Sequence, residues 1–131
     1  MSTQILQWNA NSLTAHGGEL KHYIAQTHIT PDVICIQESY FKKKTKFTLP
    51  GYNIVRRDRP DSELKGGLAT LIKHGISYSV IDGPNNFESL TVTIKTHTNK
   101  LTIANIYHSP KATFDPVSYT NTFFNTKTAL F

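Results

Sequence analysis

Three apolar runs in this chain each end on a polar residue able to hold a cation or a phosphate. They are Ile5-Leu6-Gln7-Trp8-Asn9, Val33-Ile34-Cys35-Ile36-Gln37-Glu38 and Leu101-Thr102-Ile103-Ala104-Asn105-Ile106-Tyr107. An amide, a carboxylate and a phenol form part of a site for a divalent cation and a phosphate. Glu38 offers a hard oxygen, which suits Mg2+, an ion that keeps several waters and needs few carboxylates. By its position alone, Glu38 could equally be an exposed glutamate at a strand end. Asn9 and Asn11 share a turn-prone stretch with Ala10 and Ser12. Function falls to Asn9 there, and helix capping to Asn11. Tyr107 could also pack at a sheet rim with its hydroxyl hydrated.

Sheet strands must deliver these groups. Residues 4–9 and 33–38 have strand character, and a helix lies between them. Leu20, Tyr23 and Ile24 have helical spacing, so the helix starts at Leu13 or Gly18 and ends at Thr27. A strand-helix-strand unit with a right-handed crossover makes the two strands parallel. Further strands are expected at 51–57, 68–73, 76–81, 89–95 and 101–107. The segment 96–100 is a hairpin loop, and Asp82 to Asn86 a turn. A second helix is expected at 117–128. The pattern is a layered α/β (α+β) domain with no internal repeat or linker.

The chain has 131 residues, enough for one domain with a core. Hydrophobic residues make up 38% and charged residues 18%, which argues against a disordered tail. The formal net charge is +5, and such an excess favours polyanions. Lys42, Lys43, Lys44, Lys46, Arg56, Arg57 and Arg59 follow Glu38, interleaved with Tyr40, Phe41, Phe47 and Tyr52. Cations neutralise phosphates and aromatic rings stack on bases, so Lys42, Lys43, Lys44 and Arg57 are the expected DNA contacts. The alternative is an ordinary solvated basic face. Cys35, the one cysteine, sits in an apolar run and is expected to be a buried small hydrophobe. No stretch is long enough to cross a bilayer and no signal peptide is present, so no membrane partner is expected. The location expected is intracellular, cytoplasmic or nuclear. Gly66-Gly67 lacks the Lys-Ser/Thr of a phosphate loop. Glu88 is assigned a structural role. The six histidines are too scattered for a zinc site.

The order of motifs resembles the N-terminal half of the endonuclease/exonuclease/phosphatase superfamily. The motifs are Gln7-Trp8-Asn9-Ala10-Asn11-Ser12-Leu13, Pro31 to Glu38, Gly66 to Ile72, and Ile103-Ala104-Asn105-Ile106-Tyr107. The nearest resemblance is to the apurinic-endonuclease-like domain of non-LTR (LINE-type) retrotransposons, up to Pro110. It implies a DNase I-like two-sheet sandwich with outer helices, and metal-dependent phosphodiester hydrolysis with Mg2+, or Mn2+ as the alternative. It implies that Glu38 binds the metal, that Asn9 supports metal and phosphate, and that Tyr107 contacts the scissile phosphate. DNA is then the partner.

Two family motifs are missing from these residues. No Asp is followed two residues later by Asn, and no His follows an Asp. Residues 1–131 are therefore expected to be a single domain truncated at its C-terminal side, with activity impaired or lost. The sheet left uncovered would favour self-association. Two other functions fit the same residues. One is a non-catalytic half-domain with weak nucleic-acid binding. The other is a phosphatase acting on a phosphorylated small molecule or lipid.

Overall fold

The computed structural model describes residues 2–63, 65–82, 87–109, 115–123 and 128–130. Residues 83–86 of the expected turn at Asp82 to Asn86, and 124–127 of the expected second helix, lie outside them.

Strand β1 (Ile5–Asn9) leads through helix α1 (Leu13–Thr27) to β2 (Val33–Gln37). The two strands are parallel, with Asn9 opposite Gln37. Then follow β3 (Tyr52–Arg57) and β4 (Leu68–Lys73), which complete a sheet of order β1-β2-β4-β3. A second sheet, β5-β6-β7-β8, comprises β5 (Tyr78–Ile81), β6 (Glu88–Lys95), β7 (Lys100–Tyr107) and β8 (Thr128–Leu130). Helix α2 (Pro116–Phe123) precedes β8. Its proline takes a first-turn position where no N–H is needed, and Asp115 Oδ1 accepts from Val117 N at 3.2 Å. The strand β8 was not expected from the tail, which carries little pattern of its own. It forms by pairing in parallel with β7.

Side-chain alternation along β2 explains the layers. Ile34 and Ile36 face α1 and pack with Leu13, Leu20, Phe41, Leu49 and Leu71. Val33 and Cys35 face the other way and pack with Ile72, Val92, Ile94 and Ile103. The inner face of the first sheet is thus covered by β6 and β7, which corrects the expectation of an uncovered sheet. Exposed apolar residues remain on the edge strand β5, at Tyr78, Val80 and Ile81. Burial pushes the Cys35 thiol up to about 12, so it is an inert core residue.

Helix α1 begins at Leu13, with Gly17 and Gly18 inside it. A Cβ on Gly17 would lie 2.7 Å from Phe47 Cε2, so a bare backbone there lets the basic loop's ring pack on the helix. The cap is Ser12 and not Asn11: Ser12 Oγ accepts from Ala15 N at 3.2 Å.

The two sheets are joined by a polar link. Asn105 is fully buried on β7. Its Nδ2 donates to Ile36 O at 3.1 Å, Ala69 O at 3.1 Å and Thr70 Oγ1 at 3.2 Å. Its Oδ1 accepts from Gln37 Nε2 at 2.7 Å, and Gln37 Oε1 in turn accepts from Gln7 Nε2. Asn105→Ala would strand several buried partners, so urea unfolding should show a loss of about 2–4 kcal/mol. A loss below about 0.5 kcal/mol would mean the link is dispensable.

Tyr52 gives the fold a pH limit. Its buried hydroxyl donates to Pro31 O at 2.6 Å. Burial, then the charge of Asp32, raises its pKa above the ordinary 10.0. A raised folded pKa means the contribution is whole below pH 10 and is lost as pH rises through the folded value. The stability gap between wild type and Tyr52→Phe should therefore narrow above pH 10 in thermal melts. A gap independent of pH from 9 to 12 would contradict this, by the ordinary phenol range of about 10.

Candidate active site

The polar rim begins where β1 and β2 end. Ala10 N donates to Gln37 O at 2.9 Å, Ser12 N to Glu38 O at 2.9 Å and Leu13 N to Ser39 O at 3.0 Å. On the other side, Ser39 N donates to Gly67 O at 3.2 Å and Tyr40 N to Gly66 O at 2.9 Å. Residues 37–40 are thus clasped between the start of α1 and the glycine pair before β4. Gly67 has φ +88, and a Cβ there would lie 2.7 Å from Ser39 Oγ. That close approach is what the second glycine permits.

The backbone of this rim is strained. Asn11, Ser12, Glu38 and Tyr40 all have positive φ, at 45, 85, 56 and 58 degrees. Such conformations cost about 1–3 kcal/mol each and collect at functional sites. The left-handed turn takes the Glu38 side chain out of the alternation that would carry it to the face of Ile34 and Ile36, leaving it half-buried at the rim.

Glu38 and Tyr107 meet there. Tyr107 OH donates to Glu38 Oε1 at 2.8 Å. This bond, then burial and the charge of Glu38, raises the Tyr107 pKa above the usual phenol value, so the phenol remains a proton donor at neutral pH. Tyr40 OH lies 3.5 Å from Glu38 Oε2 and donates to Asn11 Oδ1 at 2.9 Å. Burial, and next Glu38, raises the Tyr40 pKa. Asn9 is exposed, and its Oδ1 accepts from Asn11 N at 3.3 Å. The three expected residues therefore lie on one connected rim. Glu38 and Tyr107 touch, and Asn9 joins them through Asn11 and Tyr40.

A brace stands behind Tyr107. The Arg59 guanidinium sits over its ring, 5.6 Å from the centroid. Arg59 is held by Glu88, with Nη2 to Oε1 at 2.6 Å and Nε to Oε1 at 3.0 Å. Glu88 Oε2 also accepts from Gly67 N at 2.8 Å. Hydrogen bonding to Glu88 raises the already high pKa of Arg59. An open cleft of about 340 Å3 adjoins this pair, lined by Arg57, Asp58, Pro60, Glu63 and Phe87.

The expected DNA contacts divide into two kinds. Lys43 and Lys44 are exposed. Lys42 is half-buried, and its Nζ donates to Asp61 O at 2.6 Å and Glu63 O at 3.2 Å. Arg57 Nη1 donates to Ser89 O at 2.6 Å. Arg56 packs over the Phe41 ring, pairs with Asp58 at 2.7 Å and donates to Lys42 O, which pins the basic loop. Tyr40 lies among the aromatic residues expected to stack on bases, and Glu88, which holds Arg59, lies far from it in sequence. The left-handed backbone at Tyr40 and the 29-residue separation of Arg59 from Glu88 leave no local pattern.

A family model described as Endonuclease/Exonuclease/phosphatase family matches residues 6–124. The chain belongs to that family. Over 105 residues it is 28% identical to the RNA-directed DNA polymerase from mobile element jockey of Drosophila melanogaster. That match covers 79% of this chain and 11% of the relative. The fold is similar to the endonuclease domain of TRAS1, a telomere-specific non-LTR retrotransposon, with TM-score 0.65 and 18% identity over 92% of this chain and 51% of that one. It is also similar to the AP endonuclease LMAP from Leishmania major, with TM-score 0.64 and 18% identity over 82% of this chain and 40% of that one. The chain thus spans about half or less of these relatives. The similarities to these structures show a shared DNase I-like fold.

The Arg59–Glu88 pair is largely shielded, with side chains 24% and 18% exposed. Glu88→Gln keeps the shape and removes the charge. Chemical denaturation should show a loss of about 1.5–3 kcal/mol, the range for hydrogen bonds to charged groups. An unchanged midpoint would put the pair among solvent-screened surface bridges.

Proposed function

We propose that this chain carries the cation- and phosphate-holding part of a divalent-metal-dependent phosphodiesterase acting on DNA. The observation that carries the reading is the contact of Glu38 with Tyr107 on a strained rim beside the Asn9 turn. Similarity to endonucleases of retrotransposons, and the exposed Lys43 and Lys44, support DNA as the substrate.

The donor set fits Mg2+, or Mn2+ in its place. Glu38 Oε1 is taken by Tyr107, while among the described residues Oε2 has only the long 3.5 Å contact from Tyr40. Asn9 supplies a hard amide oxygen on the same rim, linked to Glu38 through Asn11 and Tyr40. Both groups offer hard oxygen ligands, which suit an ion that keeps several waters and needs few carboxylates. Glu38 and Asn9 would hold the cation, which when bound polarises a phosphoryl oxygen and stabilises the leaving oxygen. Tyr107 has one proton, which goes to Glu38 here. Placed at the rim, the same O–H would be able to turn to a phosphate oxygen of bound DNA, while Oε2 stays open to a cation. Lys43 and Lys44 neutralise backbone phosphates, with Arg57 at the cleft.

Residues that would activate the water, the Asp-x-Asn and Asp-His motifs, are not among these 131. We therefore expect the chain alone to bind the cation but to nick DNA at or near background. Among the described residues no helix is long and apolar enough to cross a membrane. A cytoplasmic or nuclear location fits action on DNA. Self-association, where it occurs, would use the exposed β5 edge.

Two measurements check this reading. Mn2+ titration should show binding by the wild-type chain and little by Glu38→Ala. Supercoiled-plasmid nicking with Mg2+ should be barely above buffer for both. Equal Mn2+ binding by both proteins would end the assignment of Glu38. Strong nicking that needs Glu38 would show that water activation is already present.

A further inference from the structure

We propose that Tyr40 is a positioning residue of the cation-holding site, its phenol fastening the Asn9–Asn11 turn against Glu38. The proposal rests on the reading of Glu38 and Asn9 as cation ligands.

Three observations carry it. The first is backbone conformation. Tyr40 has φ 58 and Glu38, two residues earlier, φ 56. A bulky residue rarely adopts this region. Tyr40 belongs to neither apolar core among the described residues, so burial does not explain the choice. The second is where the phenol arrives. Its hydroxyl donates to Asn11 Oδ1 at 2.9 Å, across 29 residues of sequence, and lies 3.5 Å from Glu38 Oε2. The third is the division of the carboxylate. Tyr107 occupies Oε1 at 2.8 Å, so Oε2, the oxygen beside Tyr40, is the one left for a cation.

Asn11 links the phenol to the second ligand. Its backbone N–H donates to Asn9 Oδ1 at 3.3 Å. Asn11 and Ser12 also have left-handed backbones, with φ 45 and 85. The turn has an unusual shape, and the Tyr40 hydroxyl joins it to the Glu38 loop. Tyr40 itself need not touch the cation. It sets the distance between the amide and carboxylate oxygens that do. Loss of an outer partner of this kind typically weakens metal affinity about 10–100-fold.

The test is Mn2+ affinity, read by water-proton relaxation on the whole chain, alongside thermal melting. Tyr40→Phe removes only the hydroxyl. It should weaken Mn2+ binding about 10–100-fold while leaving the melting midpoint near wild type. Asn11→Ala should give a similar loss, and the double variant should be no worse than either single one, since both break one link. Tyr40→Gly relieves the left-handed backbone and should keep the fold with the same loss of affinity. Wild-type affinity in Tyr40→Phe overturns the proposal and leaves the Glu38 reading standing. Additive losses in the double variant, or affinity losses that follow losses of melting temperature in both Tyr40 variants, also overturn it. Absence of Mn2+ binding in the wild type overturns the cation reading and this proposal with it.

Discussion

The buried amide of Asn105 sets the geometry of everything at the rim. It binds carbonyls of two strands in the facing sheet and the Gln37 side chain. An apolar interface alone would let two sheets slide, because dispersion and burial have little direction. An amide with fixed donors and acceptors in a dry interior tolerates one register. Tyr107 lies two residues beyond Asn105 on the same strand, and so on the same face. Glu38 directly follows Gln37. Fixing Asn105 to Gln37 therefore brings a phenol and a carboxylate 69 residues apart to hydrogen-bonding distance.

Strain and bracing complete what the link begins. Regular β geometry would carry the Glu38 side chain to the face opposite that of Gln37. The left-handed turn at Glu38 breaks that alternation just where the strand ends. Backbone bonds from residues 10–13 and 66–67 hold the strained segment from both sides. Glu88 serves both sides of the rim: it binds the N–H of Gly67 and holds Arg59 over Tyr107. A single carboxylate thus couples the glycine turn to the position of the phenol. The cost of placing polar and strained groups together is met by the apolar packing beneath them.

The sequence made the elements legible, and the rim only partly so. The periodicities of α1, β2, β4, β6 and β7 are strong because each buries one face or both, and in β1 Leu6 and Trp8 half-bury against the same core. Strand β8 has only three residues and exists through its pairing with β7, so its own residues carry no signal. Asn9, Glu38 and Tyr107 stood out because each ends an apolar run. Asn105 was equally visible as a polar residue inside such a run, at an inward position. A polar side chain there has to find partners, which is a signal of a sheet-to-sheet link. Asn11 was read as a cap because capping is local. Its partner, Tyr40, comes from a distant loop, and Ser12 takes the cap. The Arg59–Glu88 pair is hidden for the same reason: charge in a sequence does not say which charges meet.

Where the charges meet governs how such a surface would meet DNA. Arg56, Arg57 and Arg59 all bond within the protein, to Asp58, Ser89 and Glu88. Their planar forks, suited to bidentate contacts, are engaged in shaping the loop and the brace. The exposed cations of the same region are lysines, Lys43, Lys44 and Lys46. An ammonium is a point charge on a flexible stem, and it neutralises phosphate without reading a base edge. Under the proposed function, attraction of DNA to this face would be salt-dependent and blind to sequence. Any preference for a particular target would then come from shape at the rim or from groups outside this surface. The aromatic residues of the loop do not change this, since Phe41 is buried and Phe47 packs on α1. Of the rings the sequence offered for base stacking, Tyr40 remains at the rim, and its hydroxyl is already committed to Asn11.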